Sequence, residues 1–135
     1  MRLVIAGSLL LAACAPKASQ PEAEQLVQGE RAYRKCYSCH ALEPGRNDLA
    51  GPTLFRIAGR PIAAEQGFEY SPAMRKFAAT EGQWGKGLLD KFIADPEALV
   101  PGTSMTFHGI SDPAERAALF AYLDHQTKAS AASLP

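Results

Sequence analysis

The sequence predicts an all-α domain of three to five helices joined by long loops rich in glycine and proline. Three observations lead to this fold class: strand patterns are scarce, apolar residues recur at helical spacing, and helix boundaries carry recognisable cap residues. The chain has 135 residues, of which 47% are hydrophobic and 21% charged, with a formal net charge of zero. We therefore expect one folded domain, and neither a disordered chain nor a nucleic-acid binder with a basic patch.

The first two helices are placed by an apolar stripe and by a start signal. Apolar residues at helical spacing predict a helix over residues 23–35. Ser71 followed by Pro72 has the form of an N-cap and a first-turn proline. The pair predicts a second, short helix that ends near residue 78.

The last two helices follow from the same kind of pattern. Leu89 and Phe92 lie on the apolar face of a helix that Pro96 must end. Asp112 and Glu115 form a capping-box pattern at the start of the final helix. Between the helices lie two long loops, 41–70 and 96–110, which indicate that something other than backbone pairing organises the interior. A large, flat, apolar cofactor would supply such a scaffold.

The N-terminus is predicted to be a targeting segment. Residues 1–13 combine a basic start with an apolar stretch that is too short to span a bilayer, as in a secretory signal. The sequence Leu11-Ala12-Ala13-Cys14 resembles the bacterial lipobox, which implies cleavage before Cys14 and its lipidation. An ordinary signal cleaved after an Ala-x-Ala-like site, with Cys14 incidental, is the alternative.

These boundaries divide the chain into four parts. After the signal peptide we expect a lipidated cysteine and flexible tether over 14–24, a folded domain over 25–128 and a flexible tail over 129–135. Two acyl chains or more would hold the protein firmly on a membrane. The protein is thus expected to be exported and anchored at a periplasmic membrane face.

The chemistry is carried by a C-x-x-C-H motif formed by Cys36, Cys39 and His40. This spacing lets two thiols bond to one porphyrin edge while the histidine ligates the iron, so it predicts one covalently attached haem c. A redox-active thiol pair would require a βαβ context, which the sequence lacks. A structural zinc site needs four ligands, and the other histidines, His108 and His125, do not follow a zinc spacing.

The domain resembles the class I c-type cytochromes, the mitochondrial and bacterial cytochrome c family. Further segments in the family's order support the resemblance, namely Gly51-Pro52-Thr53-Leu54, Ala58-Gly59-Arg60, Gly67-Phe68-Glu69-Tyr70-Ser71, Trp84, Pro101-Gly102-Thr103-Ser104-Met105-Thr106-Phe107 and Glu115–Leu123. The resemblance implies a small cytochrome c fold wrapped around one haem. It also implies a single-electron carrier rather than an enzyme, with no small-molecule substrate.

The resemblance implies a role for each site residue. His40 is the proximal iron ligand, oriented by the carbonyl of Pro52, and Met105 is the distal ligand. Tyr70 and Trp84 donate to a haem propionate. The remaining implied contacts are Arg60 as the nearby cation, Thr103 as a hydroxyl donor beside the methionine loop, and Phe107 as a cover for the haem edge.

Several of these residues have an alternative, purely structural interpretation. Met105 could be a gap-filling core methionine, and His108 is a rival ligand close to it in the chain. Met74 lies in a predicted helix and is expected to pack against haem or core. For Tyr70, Trp84 and Phe107 the alternative is simple core packing.

The lysine ring that steers mitochondrial cytochrome c to acidic partners is largely absent. Lys35 keeps such a position, but Glu97 and Ser104 stand where the family has lysines, and Asp112 is acidic. The family's partners are quinol–cytochrome c oxidoreductase as donor and a terminal oxidase or photosynthetic reaction centre as acceptor. Two other functions are open: a permanently bound electron-entry subunit of a periplasmic enzyme, and a haem-based gas sensor.

Overall fold

The computed structural model describes residues 20–132, and within them it contains five helices and no strand. In chain order the helices are α1 (Gln20–Tyr33), α2 (Pro72–Glu81), α3 (Lys86–Ala94), α4 (Pro96–Leu99) and α5 (Pro113–Ala132). An isolated antiparallel bridge joins Pro61 to Gln83. The prediction of an all-α fold with three to five helices is confirmed for this part of the chain.

The first and last helices pack directly against each other. A Cβ on residue 29 would overlap the carbonyl oxygen of Ala118 and lie 2.6 Å from Cβ of Tyr122. Only glycine therefore allows the backbones to approach this closely. Beside this point the rings of Tyr33 and Tyr122 lie 5.7 Å apart, so an aromatic contact extends the interface.

The start of α2 follows the predicted cap chemistry. Ser71 Oγ accepts a hydrogen bond from the backbone N–H of Met74 at 3.1 Å, and Pro72 occupies the first turn. The helix continues to Glu81 rather than ending near residue 78. It ends there because Gly82 has a φ of 76°, a conformation that glycine adopts without strain.

The loop predicted over 96–110 begins with a helical turn, α4. Pro96 does follow the end of α3, as expected, but it also begins the next helix. Asp95 is the N-cap of that helix, because its Oδ1 accepts from the backbone N–H of Ala98 at 3.0 Å. Asp95-Pro96 thus repeats the cap-and-proline signal of Ser71-Pro72, which sequence reasoning used for only one of the two pairs.

Two of the boundaries drawn from the sequence fall inside helices. The first helix already begins at Gln20, within the expected tether, with Pro21 in its first turn, where proline is well tolerated. The last helix continues past residue 128 to Ala132, through an alanine-rich sequence of high helix propensity. The predicted signal peptide, Cys14 and the chain's last three residues lie outside the described residues.

The core lies beneath the crossing of α1 and α5 and reaches into the loops. Its buried members are Ala32, Ile57, Ile62, Met74, Trp84, Leu89, Phe92, Val100, Ile110, Leu119 and Leu123. Several of them also line an internal cavity, so the core is arranged around a space rather than closed on itself. Across residues 20–132, every helix is too short or too polar to cross a bilayer.

Candidate cofactor site

An apolar cavity of about 360 Å³ lies between the helices and the long loops. This volume is in the range of ligand pockets, about 300–1,000 Å³. All of the residues predicted to bind the cofactor line it: Cys36, Cys39, His40, Pro52, Arg60, Tyr70, Trp84, Thr103, Met105 and Phe107. The fold therefore brings the C-x-x-C-H turn, both long loops and Trp84 to one site.

The two cysteines follow α1 on a tight turn. The N–H groups of Cys39 and His40 both donate to the carbonyl oxygen of Cys36, at 3.0 and 2.9 Å. Cys36 is buried and Cys39 exposed, and neither forms a disulfide within the described chain. Burial raises the pKa of Cys36 to about 11, so this thiol is protonated at neutral pH. Two free thiols thus border one cavity.

The imidazole of His40 is fixed by the segment that follows the motif. Its Nδ1 lies 2.7 Å from the carbonyl oxygen of Pro52. A carbonyl can only accept, so Nδ1 carries the proton and Nε2 keeps its lone pair. Burial lowers the pKa of His40, and nearby Arg60 acts in the same direction, while the hydrogen bond to Pro52 opposes them. The ring is therefore a neutral potential metal ligand of defined tautomer.

Two further contacts hold His40 in place. A Cβ on residue 51 would overlap the imidazole ring, which means that Gly51 is required for the ring to lie where it does. The hydroxyl of Tyr33 donates to the backbone carbonyl of His40 at 2.7 Å. No sequence pattern indicated that Tyr33 reaches the site, so this link from α1 was missed.

Met105 lies on the loop between α4 and α5. Its backbone N–H donates to Thr103 Oγ1 at 3.3 Å, and Gly102 has a φ of 85°. Glu97 accepts from the N–H of Gly102 at 3.1 Å, which ties the loop back to α4. Met74 of α2 is also buried and lines the cavity. Two thioethers therefore reach the site, one from a loop and one from a helix.

His108, the rival ligand, is exposed and does not line the cavity that the described residues form. His125 is exposed as well. Among residues 20–132 no group of three or more His, Cys, Asp or Glu side chains is arranged to hold a metal ion directly.

Arg60 lies deep in the loops with all its contacts inside the protein. Its guanidinium donates to the carbonyl oxygens of Phe55 and Thr53, at 3.0 and 2.8 Å. It also pairs with Glu65 at 3.1 Å, and both side chains are only 15% exposed. The backbone of Trp84 pairs with this segment, since its N–H donates to the carbonyl of Arg60 at 2.9 Å. The predicted cation is therefore present but already has a carboxylate partner.

Glu65 and Asn47 are the site residues that sequence reasoning missed. Asn47 Oδ1 accepts from the N–H of Thr53 at 3.0 Å, and its Nδ2 donates to Glu65 Oε1 at 3.1 Å. It thereby joins the two halves of the long loop. The available sequence signal was weak: an acidic residue five positions after Arg60 and an asparagine within a loop.

The lysine that keeps the family position is engaged in an ion pair. Lys35 Nζ lies 2.6 Å from Glu115 Oε1, with side chains 47% and 30% exposed. Glu115 is on α5, so the pair links the C-x-x-C-H turn to that helix. The positive charge at this edge of the cavity is therefore compensated by the chain itself.

The donor set matches one class of cofactor. Two thiols, a neutral imidazole with a free Nε2, two thioethers and an apolar wall fit a porphyrin that is attached covalently and ligated through its iron. Isolated thiol or imidazole chemistry would not need an apolar cavity of this size. A small all-α domain with this site defines the class of covalent haem proteins.

Comparison with known proteins identifies the family within that class. No protein-family model matches the chain. The chain is 36% identical over 124 residues to cytochrome c2 of Blastochloris viridis, covering 91% of this chain and 92% of the relative. It is 36% identical over 110 residues to cytochrome c of Chlamydomonas reinhardtii, covering 81% and 96%.

A solved structure agrees with these relatives. Cytochrome cH from Methylobacterium extorquens is 36% identical, superposes with a TM-score of 0.66, and is covered over 97% of its length by 74% of this chain. The chain belongs to the cytochrome c family. Its cofactor is a covalently bound haem c, and it is a haem-based electron carrier.

Proposed function

We propose that the protein is an exported, lipid-anchored monohaem cytochrome c that shuttles single electrons between membrane complexes. The observation that carries this proposal is the single cavity that unites the Cys36, Cys39 and His40 turn with the Met105 loop. When bound, the haem iron supplies a one-electron ferric–ferrous couple. The chain supplies attachment, ligands and an apolar shell.

His40 and Met105 are the proposed axial ligands. Nδ1 of His40 is occupied by the Pro52 carbonyl, which leaves Nε2 to face the metal. Met105 is preferred over Met74 because it lies on a loop whose backbone is bonded to Thr103, so its side chain is aimed independently of a helix face. A thioether ligand raises the reduction potential, and two strong ligands leave no open position for substrate.

The polar residues around the cavity are proposed to hold the haem's carboxylates. Tyr70 and Trp84 are the donors and Arg60 is the nearby cation, since all three line the cavity. Burial raises the pKa of Tyr70, which keeps its hydroxyl protonated as a donor at neutral pH. Phe107 covers the haem edge. Such partners are needed because an unpaired buried carboxylate is costly.

For the redox partners and the cellular location we propose what the sequence implies. We propose a quinol–cytochrome c oxidoreductase as donor and a terminal oxidase or reaction centre as acceptor, on the periplasmic side. Residues 1–13 would direct export and Cys14 would carry the lipid anchor. Anchoring raises the effective concentration of membrane partners, so weak electrostatic steering suffices.

A permanently bound electron-entry subunit is the second candidate. The Lys35–Glu115 ion pair favours this second function. The positive charge of Lys35 at the cavity edge is already neutralised, so that edge attracts acidic partners only weakly. Purification from the native membrane in mild detergent separates the two functions. A shuttle is recovered largely free of other subunits, whereas a stoichiometric complex with one redox enzyme would contradict the shuttle.

Haem attachment and electron transfer are tested on the full chain, expressed with haem-attachment machinery. We expect haem to stay on the polypeptide after denaturation, and one electron per chain to be taken up reversibly. The Cys36→Ser/Cys39→Ser variant is the matched control and should lose covalent haem. A wild-type chain without covalent haem would overturn the proposal, and tight carbon monoxide binding by the ferrous form at neutral pH would favour a gas sensor.

The anchor is tested by mass measurement of the mature N-terminus. Cleavage before Cys14 with added diacylglyceryl and acyl mass is expected. The Cys14→Ser variant should be released from membranes into the soluble fraction. An unmodified cysteine on a soluble protein would contradict the anchor while leaving the electron-carrier function intact.

A further inference from the structure

A carboxylate of the chain itself, Glu65, lies beside two residues that line the haem cavity. Its Oε2 is 3.1 Å from Nη1 of Arg60, and both side chains are 15% exposed. Its backbone N–H donates to the hydroxyl oxygen of Tyr70 at 3.4 Å. One residue therefore contacts both the cation and one of the hydroxyl donors proposed for the haem's acidic edge.

Glu65 is held in a defined position. Asn47 Nδ2 donates to its Oε1 at 3.1 Å and to the carbonyl of Gln66 at 2.9 Å. The same asparagine accepts from the backbone N–H of Thr53. Both carboxylate oxygens are thus engaged, one by Arg60 and one by Asn47, so the negative charge is fixed rather than mobile.

The hydrogen bonds of Tyr70 and Arg60 determine how these two cavity-lining side chains are oriented. The Tyr70 oxygen accepts from Glu65, so its own O–H proton remains available to donate elsewhere. Arg60 also donates to two backbone carbonyls, which fixes the plane of its guanidinium. Glu65 thereby helps to determine where both groups lie relative to the cavity that they line.

The charges of Arg60 and Glu65 affect how stable the oxidised haem is relative to the reduced haem. Arg60 and Glu65 form a pair of zero net charge, so the cation is neutralised before any haem carboxylate is added. A fixed negative charge stabilises the oxidised haem, which carries one more positive charge than the reduced form. Because the pair is largely buried, salt screens this effect much less than it screens that of an exposed carboxylate.

We propose that Glu65 is a positioning residue for the haem's acidic edge and that its carboxylate lowers the reduction potential of this cytochrome. The proposal rests on the proposed function, because it requires haem in the cavity that Arg60 and Tyr70 line. In this role Glu65 adjusts the reduction potential of the haem and takes no part in haem attachment or iron ligation.

The test is a redox titration of the haem-loaded full chain and its Glu65→Gln variant. Glutamine can still accept from Arg60 through its single side-chain oxygen, but its amide N–H groups then face Asn47 Nδ2. The change therefore removes the charge and the bond to Asn47 while it keeps the bond to Arg60. The reduction potential is expected to rise, and the rise should persist at high salt. Glu69→Gln is the matched control, since this exposed carboxylate lies on the same segment; its shift should be smaller and should vanish at high salt.

A second variant keeps the proposal testable if Glu65→Gln does not fold. Glu65→Ala removes the same charge and places no amide N–H against Asn47, so its potential should also rise and the rise should persist at high salt. An unchanged or lowered potential in Glu65→Gln or in Glu65→Ala would overturn the proposal. Failure of the proposed function is distinct, because the wild-type chain would then hold no covalent haem.

Discussion

The segment that carries His40 and the segment that carries Met105 line the same cavity but are held differently. His40 is bonded through its ring to Pro52 and through its carbonyl to Tyr33, both at 2.7 Å. Met105 is tied through its backbone N–H to Thr103 at 3.3 Å. Short bonds from the ring and the carbonyl hold the first proposed ligand. Longer local bonds hold the second, because the Met105 carbonyl accepts from the N–H of Phe107 at 3.0 Å.

The difference indicates which of the two proposed ligands is lost first. The His40 segment is tied to α1 and to the segment beyond the motif, and Gly51 fits against its ring. The Met105 loop is closed by Glu97, which is exposed, and by the turn residue Gly102. We therefore expect heat or mutation to displace Met105 while His40 stays in place.

The largest effect is expected from His40→Ala. Without the imidazole the segment loses its proposed iron ligand and the bond to Pro52, so the purified protein should lack the spectrum of six-coordinate, low-spin haem. Visible absorption measures this directly. His125→Ala, which alters an exposed histidine of α5, should match wild type, and a wild-type spectrum in His40→Ala would show that another residue ligates the iron.

Gly51→Ala is expected to have the next largest effect. The added methyl overlaps the imidazole ring, and overpacking of this kind costs about 1–3 kcal/mol of unfolding free energy. Gly87→Ala is the control, because a Cβ there meets open space in α3 and should stabilise the helix by about 0.5–1 kcal/mol. Chemical denaturation of both variants measures the difference. Equal stability would mean that the ring is not confined as described.

Tyr33→Phe removes the bond between α1 and the His40 carbonyl and should cost about 0.5–1.5 kcal/mol at neutral pH. Burial raises the pKa of Tyr33 to about 12, above its usual value of about 10. Between these values the unfolded chain loses the proton and the folded chain keeps it, so stability falls as pH rises from about 10 to about 12.

The variant should therefore lose less stability than wild type over that alkaline window. Denaturant unfolding at pH 8 and above pH 11 gives the comparison. Tyr37→Phe serves as the control, because Tyr37 is 61% exposed; it should follow wild type at both pH values. Equal alkaline losses in wild type and Tyr33→Phe would rule out Tyr33 as the source.

Thr103→Ala should have the smallest effect on global stability, about 0.5 kcal/mol, because it removes a long and partly exposed hydrogen bond. Its effect on the Met105 loop should be larger than that figure suggests. The methionine–iron absorption band should be lost at a lower temperature than in wild type. Thr80→Ala in α2 is the control, and an unchanged transition in Thr103→Ala would mean that the hydroxyl does not hold the loop.

The cavity-lining residues were predictable because short motifs, in a fixed order along the chain, identify them. The C-x-x-C-H spacing and the loop around Met105 identify thiols, imidazole and thioether without knowledge of the fold. All of the predicted cofactor residues line one cavity. Their individual roles toward haem remain predictions.

Contacts that depend on how loops fold against each other were not predictable. The pairing of Glu65 with Arg60 and Asn47 joins residues up to 18 positions apart in a stretch without helix or strand periodicity. The bond from Tyr33 to His40 likewise requires the turn that follows α1. The observed helix ends differ from the predicted ends by several residues. Capping glycines and first-turn prolines determine where a helix begins or ends, and apolar stripes do not mark those positions.

The assignment of His40 and Met105 as the two iron ligands is tested most directly by the methionine–iron charge-transfer band of the ferric protein. The band should be present in wild type and in Met74→Leu, and absent in Met105→Ala while the haem stays covalently attached. Loss of the band in Met74→Leu with retention in Met105→Ala would contradict the assignment and place the ligand on α2 instead.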